Sequence, residues 1–172
     1  MAAKPCPDLL VVLRSPDVPG YLDVRAGAPD GPRVASTFRT AGPGAACIGA
    51  GEVVIGAPHP AAPGSRRLLV GPDGTHRGYL EYRWQLSPTR CATALVTGDG
   101  VRAWTRERSG LAALVHRLLP QHTMPATAVM IGQDEAGEVA SVDGGYRLRW
   151  HGARRLPLTE SAVLAVALGL PR

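Results

Sequence analysis

The C-terminal stretch from Leu158 to Arg172, LTESAVLAVALGLPR, restricts the possible folds of this chain more than any other part of the sequence. Thr159 is a favourable N-cap residue and Gly169 a favourable stop, so the pattern predicts a helix over residues 160–168. Residues 162–168 are all apolar, so this helix has no polar face for water and must be buried on every side. A membrane span needs about 20 apolar residues, which this helix does not have. The rest of the chain is therefore expected to surround it.

Most of the remaining chain has the pattern of β-strands. Apolar runs and period-two alternation predict strands over residues 9–13, 21–25, 33–38, 66–70, 77–86, 91–97, 101–106, 126–131, 138–142 and 146–151. Turn sequences such as GPDG, GDG, DEAG and DGG separate neighbouring strands. Hairpins in series predict a mainly β fold, either an antiparallel β-barrel or a strongly curved sheet of about ten to twelve strands, filled by the apolar helix. One domain, residues 1–172, is expected.

Two segments depart from this pattern. Gly, Ala and Pro dominate residues 41–66, which predicts a loop, either a lid or a carrier of an edge strand near 52–55. After Ser109, a possible N-cap, apolar residues recur at helical spacing and predict an amphipathic helix over residues 111–119. Its stripe consists of Leu111, Leu114, Val115, Leu118 and Leu119. We expect this stripe to pack against the outside of the sheet.

The charge balance favours anionic partners. The chain has a net charge of +5 at pH 7, which attracts phosphates, lipid headgroups or nucleic acid. Nearly all the basic residues are arginine, and with abundant Gly and Pro this composition is typical of a high-GC bacterial, actinobacterial-like coding bias. That bias weakens any conclusion drawn from arginine content alone.

No motif for a metal, a cofactor or export is present in the sequence. The histidines lack zinc-ligand spacing, and we expect no metal site and no cofactor. Cys6, Cys47 and Cys91 are far apart and are predicted to be reduced thiols, Cys91 at the start of a strand and Cys47 in a loop. The N-terminus lacks a signal-peptide pattern and no segment is long enough to cross a membrane, so a cytoplasmic location is expected.

A loose unit of strand, Asp- and Gly-containing turn, and arginine-bearing strand recurs as LLVGPDGTHRGYLEYR, ALVTGDGVRAWTRER and VMIGQDEAGEVASV, and more faintly as VLRSPDVPGYLDVR. Together with the apolar terminal helix, this pattern resembles the tubby C-terminal-like superfamily, which includes the phospholipid scramblases and the LURP-one-related proteins. The resemblance implies a twelve-stranded barrel around a central hydrophobic helix. It also implies phospholipid contact for some members, although many bacterial relatives have no known activity. No family binding motif can be assigned to residues of this chain.

The strand alternation places several arginines on the predicted outer face of the sheet. The candidate ligand-binding residues are Arg77, Arg83, Arg102, Trp104, Arg106, Arg147 and Arg149. Guanidinium groups on neighbouring hairpins could together bind an anion, whereas the alternative is an ordinary solvated exterior. The leading hypothesis is a non-catalytic protein that binds an anionic membrane surface or a small anionic ligand, such as a phospholipid headgroup, through these arginines.

A second hypothesis is a cofactor-independent barrel enzyme, a cyclase or isomerase of bacterial secondary metabolism, acting on an apolar ligand. Its pocket would be lined by Tyr82, Trp84, Tyr146 and Trp150. Such aromatic residues are more often core packing. Nucleic-acid binding is the least favoured function, because only Trp104 lies between arginines on one face. The sequence leaves the ligand and the oligomeric state open.

Overall fold

The computed structural model describes residues 6–18, 21–37, 46–48, 53–59, 62–84, 91–118 and 125–169. These residues form one twelve-stranded sheet and two helices. The strands are β1 (Leu9–Arg14), β2 (Leu22–Ala26), β3 (Arg33–Ser36), β4 (Ala46–Ile48), β5 (Val53–His59), β6 (Ala62–Val70), β7 (His76–Trp84), β8 (Cys91–Thr97), β9 (Gly100–Glu107), β10 (Thr127–Ile131), β11 (Asp134–Val142) and β12 (Gly145–Trp150). The helices are α1 (Gly110–Leu118) and α2 (Leu158–Gly169). The mainly β prediction is confirmed.

The strands follow the order β3-β2-β1-β12-β11-β10-β9-β8-β7-β6-β5-β4, and every neighbouring pair is antiparallel. Sequential hairpins build the sheet, and the first strand pairs with the last, with Leu10 opposite Leu148. The edge strands β3 and β4 approach each other to Cα separations of 8 Å or less. No hydrogen-bonded ladder joins their described residues, so this part of the sheet is not closed into a barrel.

Helix α2 is buried within the curve of the sheet, as its apolar sequence predicts. Residues 161–168 are all buried. Helix α2 contacts β1 and β2 near one end of the strand order, β5 near the other end, and β8 between them. A sheet whose distant strands contact one helix must curve strongly around it. The predicted N-cap at Thr159 is wrong, because the helix begins at Leu158 and the Ser161 N–H donates to the Pro157 carbonyl at 2.9 Å.

Helix α1 lies in the predicted segment, but the expectation that its apolar stripe packs against the sheet is wrong. The Ser109 Oγ accepts a hydrogen bond from the Ala112 N–H at 3.3 Å, as expected of an N-cap. Leu111, Leu114, Val115 and Leu118 are nevertheless exposed. Helical spacing shows that an apolar stripe exists, but it does not show which surface covers the stripe.

Residues 41–66 were predicted to form a loop, either a lid or a carrier of an edge strand near 52–55. A strand near 52–55 is confirmed, because β5 begins at Val53, whereas the loop is wrong for the other described residues. The described residues of this segment contain β4, β5 and the start of β6, and Cys47 lies in β4 rather than in a loop. Ile55 pairs with Leu69, and the register shifts on both sides of Pro58. Proline lacks an N–H and is tolerated at a bulge, so the proline-rich composition concealed strands near the edge of the sheet.

The sequence DEAG was also predicted as a turn, and this prediction is wrong. Residues 134–137 belong to β11, with Asp134 opposite Ile131. The chain reverses one step earlier, at Gly132, whose φ of 65° lies in the left-handed region that favours glycine. The hairpin between β10 and β11 is therefore tighter than its acidic residues suggested.

Candidate functional site

One row across the outer face of the sheet, the face away from α2, contains two of the candidate arginines. Arg149 in β12 pairs with Glu138 in β11, Glu138 with Ala128 in β10, and Ala128 with Arg106 in β9. Neighbouring strands are about 4.8 Å apart, so the Cα atoms of Arg149 and Arg106 are separated by about 15 Å. Arg147 lies two residues from Arg149 on the same face of β12, about 7 Å away.

These three residues, Arg106, Arg147 and Arg149, are called the arginine face below. Arg106 and Arg149 are exposed and Arg147 is half-buried. Within the described part of the chain, none of the three forms an ion pair, although Glu138 is the register partner of Arg149. The arginine face therefore carries more positive than negative charge, and its guanidinium groups are available to an anion.

The neighbouring row on the outer face, which runs from β12 through β1 to β2, explains why Arg147 is half-buried. Val11 in β1 pairs with Arg147 on one side and with Arg25 on the other. Val11 is buried although it lies on the outer face, and the aliphatic stems of the flanking arginines can account for this burial. The Arg147 Nε is itself buried, with no hydrogen-bond partner in the described structure.

The other candidate arginines lie apart from the arginine face. Arg77 pairs with Asp73 at 3.5 Å across a turn, and Arg102 pairs with Glu160 at the start of α2, at 3.3 Å. Arg83 lies in β7 opposite Ala92, but its side chain is outside the described structure. The predicted patch is therefore divided, and its accessible part is smaller than the sequence suggested.

Trp104 contacts the neighbouring hairpin. Its indole Nε1 donates to the Gly132 carbonyl at 3.0 Å, and its register partners are Ala94 and Met130. The one cation–π contact found among the described residues lies elsewhere, where the Arg66 guanidinium sits 4.7 Å from the centre of the Tyr79 ring. Trp104 is thus a half-buried residue that packs against the hairpin between β10 and β11, beside the arginine face.

Two of the candidate pocket residues are core residues. Tyr146 and Trp150 are buried in the same cluster as α2, and the Tyr146 hydroxyl donates to the Ala165 carbonyl at 2.7 Å. Burial raises the pKa of Tyr146 well above its ordinary value. Tyr82 is half-buried, and the Trp84 side chain lies outside the described structure. Tyr146 and Trp150 therefore pack with the helix in the core.

A cavity does occur at the surface, away from these aromatic residues. It has a volume of about 230 Å³, opens to solvent and is lined by Leu13, Arg14, Ser15, Tyr21 and Asp23. Its acidic member accepts hydrogen bonds from the Arg25 Nε at 2.9 Å and the Arg33 Nε at 2.8 Å. Because these arginines already engage the carboxylate and Arg14 forms no ion pair among the described residues, the uncompensated charge at the cavity is positive.

Sequence reasoning missed a polar cluster on the inner face of the sheet. Thr93, Thr105, Glu107 and Thr127 are all buried. The Thr105 Oγ1 accepts from the Thr93 N–H at 3.0 Å, and Glu107 is the register partner of Thr127. The signal was present, because strand alternation that points Arg106 outward points Glu107 inward.

Cys6 is a buried thiol in the part of the chain that the structure describes. Its Sγ lies 3.2 Å from the Ser161 Oγ near the start of α2. Burial raises the pKa of the Cys6 thiol, with the Ser161 hydrogen bond acting in the opposite direction. A thiol with a raised pKa is a poor nucleophile, so Cys6 serves the packing of α2.

The chain matches no known family model, and comparisons with curated proteins and with solved structures likewise give no match. Within the described residues, no group of three or more His, Cys, Asp or Glu side chains could hold a metal ion. Neither described helix is both long and apolar enough to span a membrane.

Proposed function

We propose that this protein is a non-catalytic binding protein whose arginine face holds an anionic ligand such as a phospholipid headgroup. The observation that supports this function is the set of Arg106, Arg147 and Arg149 on one face of the sheet, in β9 and β12, without an ion pair to any described carboxylate. The net charge of +5 adds long-range attraction for an anion.

Guanidinium groups suit this role because each presents a planar fork of N–H donors that matches the oxygens of a phosphate. Strands hold the backbone of Arg147 and Arg149 about 7 Å apart, so two forks can approach one phosphate group from the same strand. Glu138 lies beside them in the row and would repel an anion placed directly over β11. The favoured position is therefore towards Val11 and β1.

We also propose that the curved sheet is a helix-filled barrel of the tubby-like kind. The buried α2 and the approach of β3 to β4 support this architecture. The proposal requires that the two edge strands complete the circle through contacts other than the ladders of the described residues.

The enzyme alternative receives less support, because α2 occupies the space that its pocket would need. Tyr146 and Trp150 pack in the core with this helix. The observation that keeps the alternative open is the inner polar cluster, in which the Thr93 Oγ1 has no hydrogen-bond partner in the described structure. Nucleic-acid binding remains third, because the indole N–H of Trp104 is already engaged by Gly132.

The test is a binding titration with vesicles of phosphatidylcholine containing phosphatidylserine, at low and at moderate salt, using the wild type and the double variant Arg147→Gln/Arg149→Gln. Each arginine near an anionic surface contributes about 1 kcal/mol, so the double variant should bind about thirtyfold more weakly. Binding should also weaken as salt screens the charges.

The matched control is Arg77→Gln, which removes an exposed arginine that is already paired with Asp73. It should change the affinity much less than the double variant does. If both variants lost the same vesicle affinity, the binding would depend only on net charge, and a site at the arginine face would be contradicted. Binding that does not respond to salt would contradict it as well.

A further inference from the structure

Helix α1 exposes the described part of its apolar stripe. Leu119, the last residue of the predicted stripe, lies outside the described residues. The exposed fractions are 73% for Leu111, 38% for Leu114, 39% for Val115 and 70% for Leu118. These residues follow the spacing i, i+3, i+4 and i+7, which places them along one side of the helix. The helix makes no extensive contact with any other described element. A contiguous stripe of large aliphatic side chains in water marks an interaction surface rather than ordinary scattered exposure.

The position of α1 in the chain indicates which kind of surface covers its apolar stripe. The helix begins four residues after Arg106, at the end of β9 where Glu107 pairs with Thr127 of β10. An apolar helix stripe that follows an exposed arginine closely in the chain is a combination by which peripheral proteins bind anionic bilayers. At nine residues the helix is about 14 Å long, which suits a position in the plane of the interface.

A second copy of the chain fits this surface less well. Two copies joined through α1 would cover the stripe, but each copy carries the same net charge of +5. Like charges brought together oppose association. An anionic surface, in contrast, satisfies the apolar stripe and the arginines together.

We propose that α1 is an interfacial helix that inserts its apolar stripe into an anionic lipid bilayer while the arginine face contacts the headgroups. The inference rests on the proposed function, because the arginine face supplies the headgroup contact. It adds that the ligand belongs to a membrane surface rather than to a free phosphate.

The test compares Leu111→Ser/Leu118→Ser with the wild type in two assays. The first is co-sedimentation with vesicles of phosphatidylcholine and phosphatidylserine, and the second is calorimetric titration with inorganic pyrophosphate. The variant should lose at least about tenfold in vesicle affinity, because it removes the two most exposed side chains of the stripe. Its affinity for pyrophosphate should equal that of the wild type.

The matched control is Val18→Ser/Val101→Ser, which removes two large apolar side chains that are 54% and 52% exposed outside α1. It should bind vesicles like the wild type. All four substituted positions are exposed, so folding should be retained, and far-ultraviolet circular dichroism checks this.

The outcomes separate the two proposals. Wild-type vesicle binding by Leu111→Ser/Leu118→Ser, with pyrophosphate binding intact, overturns the role of α1 and leaves the arginine face standing. Absence of pyrophosphate binding in the wild type, or its survival in Arg147→Gln/Arg149→Gln, contradicts the arginine face itself. The membrane proposal is also overturned if the wild type does not bind vesicles but self-associates in analytical ultracentrifugation, and if Leu111→Ser/Leu118→Ser abolishes this self-association. That result assigns the stripe to a second copy of the chain.

Discussion

The two helices of this protein are of similar length and both are rich in aliphatic residues, yet their environments are opposite. Every residue of α2 from Ser161 to Leu168 is buried, whereas Leu111 and Leu118 of α1 are among the most exposed apolar residues described. The difference begins in the sequence, because α2 is apolar all round and α1 has a single stripe. A continuous apolar helix must be surrounded by protein, but a stripe needs only one covering surface.

The comparison also separates structural from functional roles. The core of the sheet forms around α2, with contacts from β1, β2, β5 and β8, so α2 contributes to stability. Helix α1 contributes little core burial, so changes in its stripe should leave the fold intact and alter binding. If substitutions in the α1 stripe lowered the stability of the fold as much as substitutions in α2 do, this distinction would be wrong.

The largest effect on stability is expected when a buried leucine of α2 is shortened. Leu164 is fully buried, and Leu164→Ala should lower the free energy of unfolding by about 2–5 kcal/mol, because it removes apolar contact and leaves a cavity. The same substitution in α1, Leu111→Ala, should change it by less than about 0.5 kcal/mol. Urea denaturation of both variants measures the difference, and similar losses would show that α1 is part of the core.

A smaller effect is expected from the hydrogen bond that ties α2 to the sheet. Tyr146→Phe leaves the Ala165 carbonyl without the donor 2.7 Å away, and should cost about 1–3 kcal/mol. Tyr21→Phe is the control, because Tyr21 is half-buried outside the core cluster. An unchanged midpoint in Tyr146→Phe would show that apolar packing alone positions the helix.

The same tyrosine predicts a pH dependence with a definite sign. Burial raises the pKa of Tyr146 in the folded protein, so the folded state keeps its proton after the unfolded chain begins to ionise near about pH 10. The stabilisation from Tyr146 should be complete below that pH and be lost as pH rises above it. Thermal unfolding from neutral to alkaline pH should show a steeper decline in the wild type than in Tyr146→Phe.

The smallest effect is expected from the ion pair at the start of α2. Arg102 contacts Glu160 at 3.3 Å, and both side chains are partly exposed. Solvent screens such a pair, so Arg102→Gln should cost at most about 1 kcal/mol. Arg77→Gln, which breaks the exposed pair with Asp73, is the control in urea denaturation. A loss from Arg102→Gln comparable to that of Leu164→Ala would contradict the view that burial, rather than charge, holds α2.

Strand alternation predicted the two faces of β12 correctly. Tyr146, Leu148 and Trp150 are buried and Arg149 is exposed, as period two requires. Glycine and proline content misled the prediction for residues 41–66, because β4 is an edge strand and the neighbouring β5 accommodates Pro58 at a register shift. Strand propensity describes an average position in a sheet, whereas β4 and β5 lie at or near its edge.

The candidate site was only partly predictable, because the sequence assigns arginines to a face but not to partners. Arg102 and Arg106 are both in β9, yet Arg102 pairs with Glu160 and Arg106 forms no ion pair in the described structure. Which arginine meets a carboxylate depends on contacts between residues far apart in the chain. The separation of Arg102 from Glu160 by 58 positions is such a case.

The sequence by itself determined that a helix apolar on every side would be buried and that antiparallel hairpins would surround it, because both properties follow from local periodicity. Only the tertiary structure decided that the stripe of α1 faces water and that Arg106, Arg147 and Arg149 share a face without ion pairs among the described residues. The physical reason is that the burial of a helix or strand face follows from the pattern of residues nearby in the sequence. Which surface covers an apolar stripe, and which carboxylate pairs with an arginine, depend instead on strand register and on segments far away in the chain.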